Sequence, residues 1–600
     1  MRDFLKYATA SAIGTIVGLI ALMAVLGLSL GSLFAFLLVT ASRDSDPQVQ
    51  DGSILVFDLS TEITDSVPPA GASAVLGETL ANDVPTLSTY SVLAALERAA
   101  EDDRIVGLYL RGNSNEGFAT LRELRQALET FRDSGKPIFA YAMGWSERDY
   151  YLTANADTLW LNPAGLLEFN GFRAEIQFLA GALDKYGIGV QALQAGRYKS
   201  AIEPFVRTDS SPEFRQQTEA LLADFWQEFL GAVHESREVA PSQLQQLADA
   251  GGLLMAAEAE TAGLIDQVAY YDDVLAELRQ LTDAEADEDQ EFPQIDLGRY
   301  SRVATDDSAA RFGQNQIAVL YAEGDIVSGE GDVGLIGAES FSRTLRDLSQ
   351  DDAIQAVVLR INSPGGGASA SEAIAREVNR LRQHKPVIVS MGDVAASGGY
   401  MMASEADQIF ASPNTITGSI GVFGLVLNFQ EIGNNNGITW DILKTARFAD
   451  IDSLARPQTD EELALQQAIV DTLYDRFITR VADSRELAKE AVDRVAQGRV
   501  WSGQDAQAAQ LVDEVGGLMA AIKAAAEAAA LEDWRVVEYP RPRSLEEEIL
   551  DTLFGGQLEF RSSDPLTQEM KTLYQQLQSL QHLNDPHGIY MRLPFMTEIQ

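Results

Sequence analysis

The 600-residue chain sets 89 acidic against 45 basic side chains, a formal net charge of −44 at neutral pH, with 46% hydrophobic residues and no cysteine. That charge repels phosphate backbones, so nucleic acid is excluded as a partner. The missing cysteines remove disulfides, thiolate nucleophiles and cysteine zinc sites, and four scattered histidines make no metal site.

Residues 8–41, ATASAIGTIVGLIALMAVLGLSLGSLFAFLLVTA, hold no charge and no proline. They exceed the ~20 residues with which a helix crosses a bilayer. Residues 1–45 therefore read as a membrane anchor rather than a cleaved signal peptide, whose apolar region runs about 7–15 residues. Arg2 and Lys6 precede the span while Arg43, Asp44 and Asp46 follow it, which places the N-terminus in the cytoplasm and the remainder on the far side.

Internal repetition comes next. LYLRGNSNEGF (108–118) is answered by VVLRINSPGGG (357–367), and a shift of 249 residues lays Arg111, Asn113, Ser114, Lys136 and Pro137 on Arg360, Asn362, Ser363, Lys385 and Pro386. At a shift of 250, Asp157, Pro163, Gly171, Gly187 and Arg197 meet Asp407, Pro413, Gly421, Gly437 and Arg447. The chain thus divides into the anchor, a first repeat (46–282), an acidic linker (283–314), a second repeat (315–540) and a tail (541–600).

In the second repeat, 317–324, 356–361, 386–391 and 408–412 are short β-rich apolar runs, with a helical pattern at 371–383. Strand, helix, strand in succession predicts a parallel sheet with crossover helices, whose sites form where strands end and helices begin. Two segments fall at such junctions. PGGG (364–367) predicts a tight turn whose Gly365 and Gly366 amides can reach a substrate oxygen. ASGG (396–399) sets Ser397 at the start of a helix, as nucleophile or as an ordinary N-cap, with the Gly398 amide beside it.

A serine nucleophile needs a base. His384 starts the strand that ends near Ser397, His234 lies in an amphipathic helix, and His582 and His587 sit in the tail, so none fits easily. A lysine serves if burial keeps it neutral.

GRYKSAIEPF (196–205), RINSPGGG (360–367), GDVAASGGYMMA (392–403) and TGSIGVFG (417–424), in this order behind one anchor, resemble the long, duplicated form of the signal peptide peptidase A (protease IV) family. The resemblance implies two tandem α/β domains of the Clp protease/crotonase fold behind a transmembrane helix. It also implies a serine peptidase whose Ser/Lys dyad maps to Ser397 and Lys199, with Ser419 orienting the lysine and Gly365, Gly366 and Gly398 supplying the oxyanion hole. No metal or other cofactor is implied. The expected substrates are signal-peptide remnants and other extended peptides at a membrane, the expected assembly a homotetramer, and the compartment periplasm or a thylakoid-type lumen.

The repeat itself points the same way. Ser397 falls opposite Arg148 or Glu147, Gly365 opposite Glu116 and Ser419 opposite Phe169, while Lys199 falls opposite Ala449. Each copy lacks what the other keeps. Lys385 and Lys444 stand as replacement bases if Lys199 fails, and a crotonase-like acyl-CoA enzyme and a non-catalytic membrane scaffold are the alternative functions.

Overall fold

The computed structural model describes residues 49–66, 86–282, 291–309, 315–332, 334–540 and 589–593. The expected anchor lies outside them, and among the described residues no helix is long and apolar enough to cross a membrane.

The first repeat is built from β1 (Ser53–Asp58), α1 (Thr89–Glu101), β2 (Ile105–Arg111), α2 (Phe118–Asp133), β3 (Ile138–Trp145), α3 (Glu147–Thr153) and β4 (Thr158–Glu168). β1 to β4 pair in parallel and in sequence order. Beyond them come β5 (Gly189–Ala195), which leaves this sheet, and the long helix α4 (Pro212–Arg237).

Of the stretch expected to be linker, residues 283–290 lie outside the described residues, whereas 294–309 fold. β6 (Gln294–Asp296) adds a parallel edge strand to β1, and a helix follows over Leu297–Ala309. The apolar Ile295, buried with Phe292, explains why this part does not stay in solvent.

The second repeat restates the plan with β7 (Gln316–Glu323), β8 (Asp325–Val327), β9 (Ile354–Ser363), β10 (Gly365–Gly367), α5 (Ala368–Arg382), β11 (Val387–Ala396), α6 (Gly398–Ala403), β12 (Gln408–Ala411), β13 (Ile416–Gly418), β14 (Val422–Asn428) and β15 (Arg535–Tyr539). β15, β7, β9 and β11 run parallel, and β12 and β13 pair with successive halves of β11. Val357, Leu359, Val387 and Val389 are fully buried, as a sheet covered by helices on both faces requires. The four expected strands and the helix are all present. β11 runs further than expected because a register shift after Ile361 lets Val394–Ala396 pair with β13, which delivers the chain directly to Ser397.

A third sheet joins the repeats in the order Leu335–Gly337, β8, β10, β16 (Ile589–Arg592), β14, β5. β5 of the first repeat lies antiparallel to β14 of the second over seven residue pairs, Val422 opposite Ala195 through Asn428 opposite Gly189. Lys199 follows β5 by four residues, so this pairing decides where it lands.

Candidate active site

Lys199 and Ser397 come from different repeats and meet in a pocket with no solvent exposure at either side chain. Lys199 Nζ lies 2.7 Å from Ser397 Oγ and 2.9 Å from both the carbonyl oxygen and Oγ of Ser419. Burial alone pushes the Lys199 pKa well below its ordinary value, because the ammonium loses its hydration. A neutral amine has two N–H donors and one lone pair. Ser419 supplies two acceptors, and Ser397 Oγ–H faces the lone pair.

The backbone holds these groups in uncommon conformations. Ser397 sits at φ 56°, ψ −111°, at the N-cap of α6, yet its side chain caps no helix N–H. The ordinary N-cap use of this serine is therefore ruled out, and the strain exposes Oγ to the lysine instead. Ser419 also has positive φ, at 48°. Lys199 is positioned by a turn of the second repeat: Tyr198 N–H donates to Gln497 O at 2.8 Å, and a Cβ on Gly498 (φ 75°) would stand 2.6 Å from Lys199 Cβ. Gln217 of α4 clamps the same junction, donating to Ser200 Oγ at 2.8 Å and accepting from Val500 N–H at 3.1 Å. Nothing in the spacing of the motifs pointed to Gly498 or Gln217.

PGGG is a short strand rather than the expected tight turn. Gly366 packs so closely on Ile326 that no side chain fits, and Gly365, at φ 98°, leaves no room for a Cβ against the Met591 carbonyl and the Gly398 amide. The Gly365 N–H donates to Ser363 Oγ at 3.2 Å. Gly365 thus brings chain segments together, and Gly366, paired with Ile326 on one edge and Met591 on the other, is part of the same sheet.

The other candidate bases are occupied elsewhere. Lys385 Nζ donates to the Leu348 and Asp351 carbonyls, and Lys444 Nζ to Asp450. Lys136 makes the same bonds to Ala99 O and Asp102 O in the first repeat, which marks Lys136 and Lys385 as structural lysines.

Buried charges lock the two repeats together. Arg360, fully buried, donates to Asp65 Oδ1 at 3.0 Å, Glu123 Oε1 at 2.7 Å and Ser390 Oγ at 2.9 Å. Burial disfavours its charge, but Asp65 and Glu123 more than offset this and raise its pKa. Asp393 of the second repeat accepts from Ala119 N–H and Thr120 N–H at the start of α2, where a side chain on Gly117 would collide with it. These groups tie the first repeat to the second apart from the β5–β14 ladder, which has its own seven residue pairs.

A serine and a buried lysine at hydrogen-bond distance, on a duplicated Clp-type α/β fold, define the class: a serine peptidase. The comparisons with known proteins agree. Peptidase family S49 matches residues 130–285 and 379–532, and the Clp protease family matches residues 311–417. Protease 4 of Salmonella typhi is 33% identical over 560 residues, covering 89% of each chain. Protease 4 of Haemophilus influenzae is 35% identical over 526 residues, covering 84% of this chain and 85% of its own. The chloroplastic serine protease SPPA of Arabidopsis thaliana is 32% identical, covering 84% of this chain and 73% of its own. The chain belongs to peptidase family S49. The acyl-CoA enzyme and the inert scaffold fall away as readings.

Proposed function

We propose that the chain is a membrane-anchored endopeptidase in which Ser397 is the nucleophile and Lys199 the general base. The observation that carries this reading is the 2.7 Å approach of Lys199 Nζ to Ser397 Oγ in a pocket closed to water. Neutral Lys199 takes the Oγ proton as Oγ attacks the peptide carbonyl. The oxyanion is held by the Gly366 and Gly398 amides, donors of a kind whose loss costs about 3–4 kcal/mol elsewhere. The C–N bond breaks as the Lys199 ammonium protonates the leaving amine. Water, deprotonated by the regenerated amine, then hydrolyses the acyl ester. Ser419 accepts the two remaining N–H bonds and keeps the lone pair on Ser397.

The substrates in this reading are signal-peptide remnants and other extended peptides at the membrane, supported by the apolar 8–41 stretch and by the name of a relative in Enterococcus faecium, a putative signal peptide peptidase SppA. Arg2 and Lys6 keep the N-terminus cytoplasmic and the peptidase domains on the periplasmic or equivalent side. A homotetramer completes the reading. The 438–444 stretch, which corresponds to β5 in the repeat, forms no strand and exposes Ile438, Trp440, Ile442 and Leu443, a surface suited to a second copy. The test is labelling by a fluorophosphonate, expected at Ser397 of the intact protein and lost in Ser397→Ala. Labelling that survives this substitution contradicts the assignment.

A further inference from the structure

Beside Lys199 stand two arginines that neither the mechanism nor any ion pair uses. The Arg197 guanidinium carbon lies 5.0 Å from the centroid of the Tyr198 ring, and that of Arg499 lies 5.6 Å from the same ring and 4.0 Å from the ring of Trp501. Among the described residues no carboxylate pairs with either side chain, and the buried Arg499 Nε has no hydrogen-bond partner. The acidic groups of the adjoining segments are taken by neutral donors: Asp493 by the Tyr474 hydroxyl and Gln497 Nε2, Asp224 by Ser502 Oγ. In a chain with a net charge of −44, two guanidiniums without a carboxylate next to the dyad point to a ligand that brings one.

Both arginines stand on the backbone that carries the reacting groups. Tyr198 precedes Lys199, and its hydroxyl donates to Gln216 Oε1 at 3.0 Å. The Arg499 carbonyl accepts from Ser419 N–H at 2.7 Å, and Trp501 lies opposite Thr417 where Val500–Ser502 runs antiparallel to β13. Gly418 O accepts from Ser397 N–H at 2.8 Å, and a Cβ on Gly418 would stand 2.7 Å from Trp501 Cδ1. The indole is fixed in turn by its Nε1–H on Val495 O at 2.8 Å. Stacking uses the faces of a guanidinium and leaves its N–H donors, which lie in the plane, for a ligand. That fork matches the two oxygens of a carboxylate. Lys199 passes its proton to the leaving nitrogen, so the amine half of the substrate lies on the lysine's side of the scissile bond, the side these arginines flank.

We propose that Arg499, together with Arg197, binds a carboxylate of the peptide substrate on the leaving-amine side of the scissile bond, supplied by the peptide's own C-terminus or by an acidic side chain close to it. This rests on the peptidase reading above and adds a charged subsite with two specificity-determining residues. A fragment already cut from a longer chain ends in a free carboxylate, so the subsite favours released fragments over intact chains. The acidic surface elsewhere repels such peptides, which confines the preference to this pair.

The test uses Ser397→Ala protein, so that nothing is cut, and two apolar peptides, fluorescein-labelled at the N-terminus, that differ only in ending as a free carboxylate or as a carboxamide. Fluorescence anisotropy is expected to show the acid bound about tenfold more tightly, a preference that shrinks as salt is added, and Arg499→Gln to bring the two affinities within about twofold. A carboxamide peptide with glutamate as its last residue separates the two sources: affinity equal to the acid's assigns any carboxylate, affinity equal to the plain amide's assigns the C-terminus alone. Should Arg499→Gln fail to fold by circular dichroism, Arg197→Glu, at an exposed side chain, is expected to remove the preference instead. With Ser397 intact, the acid should show a KM about tenfold below the amide's at similar kcat, a split that a merely structural role for Arg499 would not produce. Equal binding of acid and amide, no binding of either, or a preference that survives both arginine substitutions overturns the proposal. Preferential binding of the acid with no hydrolysis by the wild type leaves the subsite standing and overturns the peptidase reading instead; hydrolysis of acid and amide with equal KM does the reverse.

Discussion

The two repeats share a scaffold and differ at the points where chemistry would occur. Tyr150 hydroxyl donates to Leu264 O and Tyr400 hydroxyl to Leu511 O, so α3 and α6 superpose with Tyr150 on Tyr400, and Ser397 falls on Glu147. Glu116 N–H donates to Ser114 Oγ at 3.2 Å as Gly365 N–H does to Ser363 Oγ, which sets Glu116 in the place of Gly365. Phe169 N–H bonds Gly252 O where Ser419 N–H bonds Arg499 O. Ser397, Ser419 and Gly365 have positive φ; Glu147, Phe169 and Glu116 do not. At these three stations positive φ accompanies the second repeat's residues and not the first's, whereas Glu238 and Glu486 have positive φ in both repeats. In the first repeat the same stations are relaxed and put to structural use. Glu147 accepts from Asn170 and Gly171 N–H, and Ser146 closes a capping box with Asp149. What that repeat keeps is the strand that carries Lys199 across. On the proposed reading, one active site is divided between the two repeats, Lys199 from the first and Ser397 from the second.

Breaking the division should have the largest effect. Ser397→Ala and Lys199→Ala are each expected to lower kcat/KM by about 10⁴-fold or more, with little further loss in the double variant, because the pair acts as one unit. Steady-state rates on an extended peptide check this.

Arg360→Met removes the cation between Asp65 and Glu123 and leaves two buried carboxylates, a cost of about 3–5 kcal/mol read by urea unfolding. The equivalent Arg111 is exposed on Asp58, so Arg111→Met should cost under about 1 kcal/mol. Equal losses would mean that the repeats are not locked through Arg360.

Gly365→Glu imports the first repeat's residue at a φ of 98° and should destabilise by about 1–3 kcal/mol. Misplacing the adjoining Gly398 amide should lower kcat by about a hundredfold. Ser419→Ala keeps the carbonyl that holds Lys199 and loses one acceptor, so kcat should fall about tenfold, less than for the dyad itself.

The smallest effect concerns Glu116. Burial pushes its carboxyl up to about 7, so the folded chain binds a proton there that the unfolded chain has already lost above pH 4.5. Its contribution to stability is present at pH 4 and disappears as pH rises through 7. Glu116→Gln should leave the melting temperature nearly unchanged at pH 5 and raise it at pH 8; a rise at pH 5 and none at pH 8 would reverse the sign.

Much of this was legible in the sequence. Apolar runs at 317–324, 356–361 and 386–391 are strands because only a doubly covered parallel sheet buries such runs, and the repeat register marked Glu116 and Phe169 as the residues opposite Gly365 and Ser419. Lys199 and Ser419 came through family resemblance, since no spacing links a lysine to a serine 198 positions away. The role of Gly498 was hidden because it depends on a turn of one repeat meeting a strand of the other. β16 escaped notice for a similar reason. IYMR is a short run in a polar tail, and its strand conformation comes from partners far away in sequence.

The most direct test is the rate of Ser397 acylation by a fluorophosphonate as a function of pH, in the wild type and in Lys199→Ala. The account predicts an acid limb governed by one group titrating well below the ordinary lysine value of 10.5, and near-complete loss of acylation at every pH in the variant. Acylation of Lys199→Ala at the wild-type rate, with the same pH profile, would contradict it.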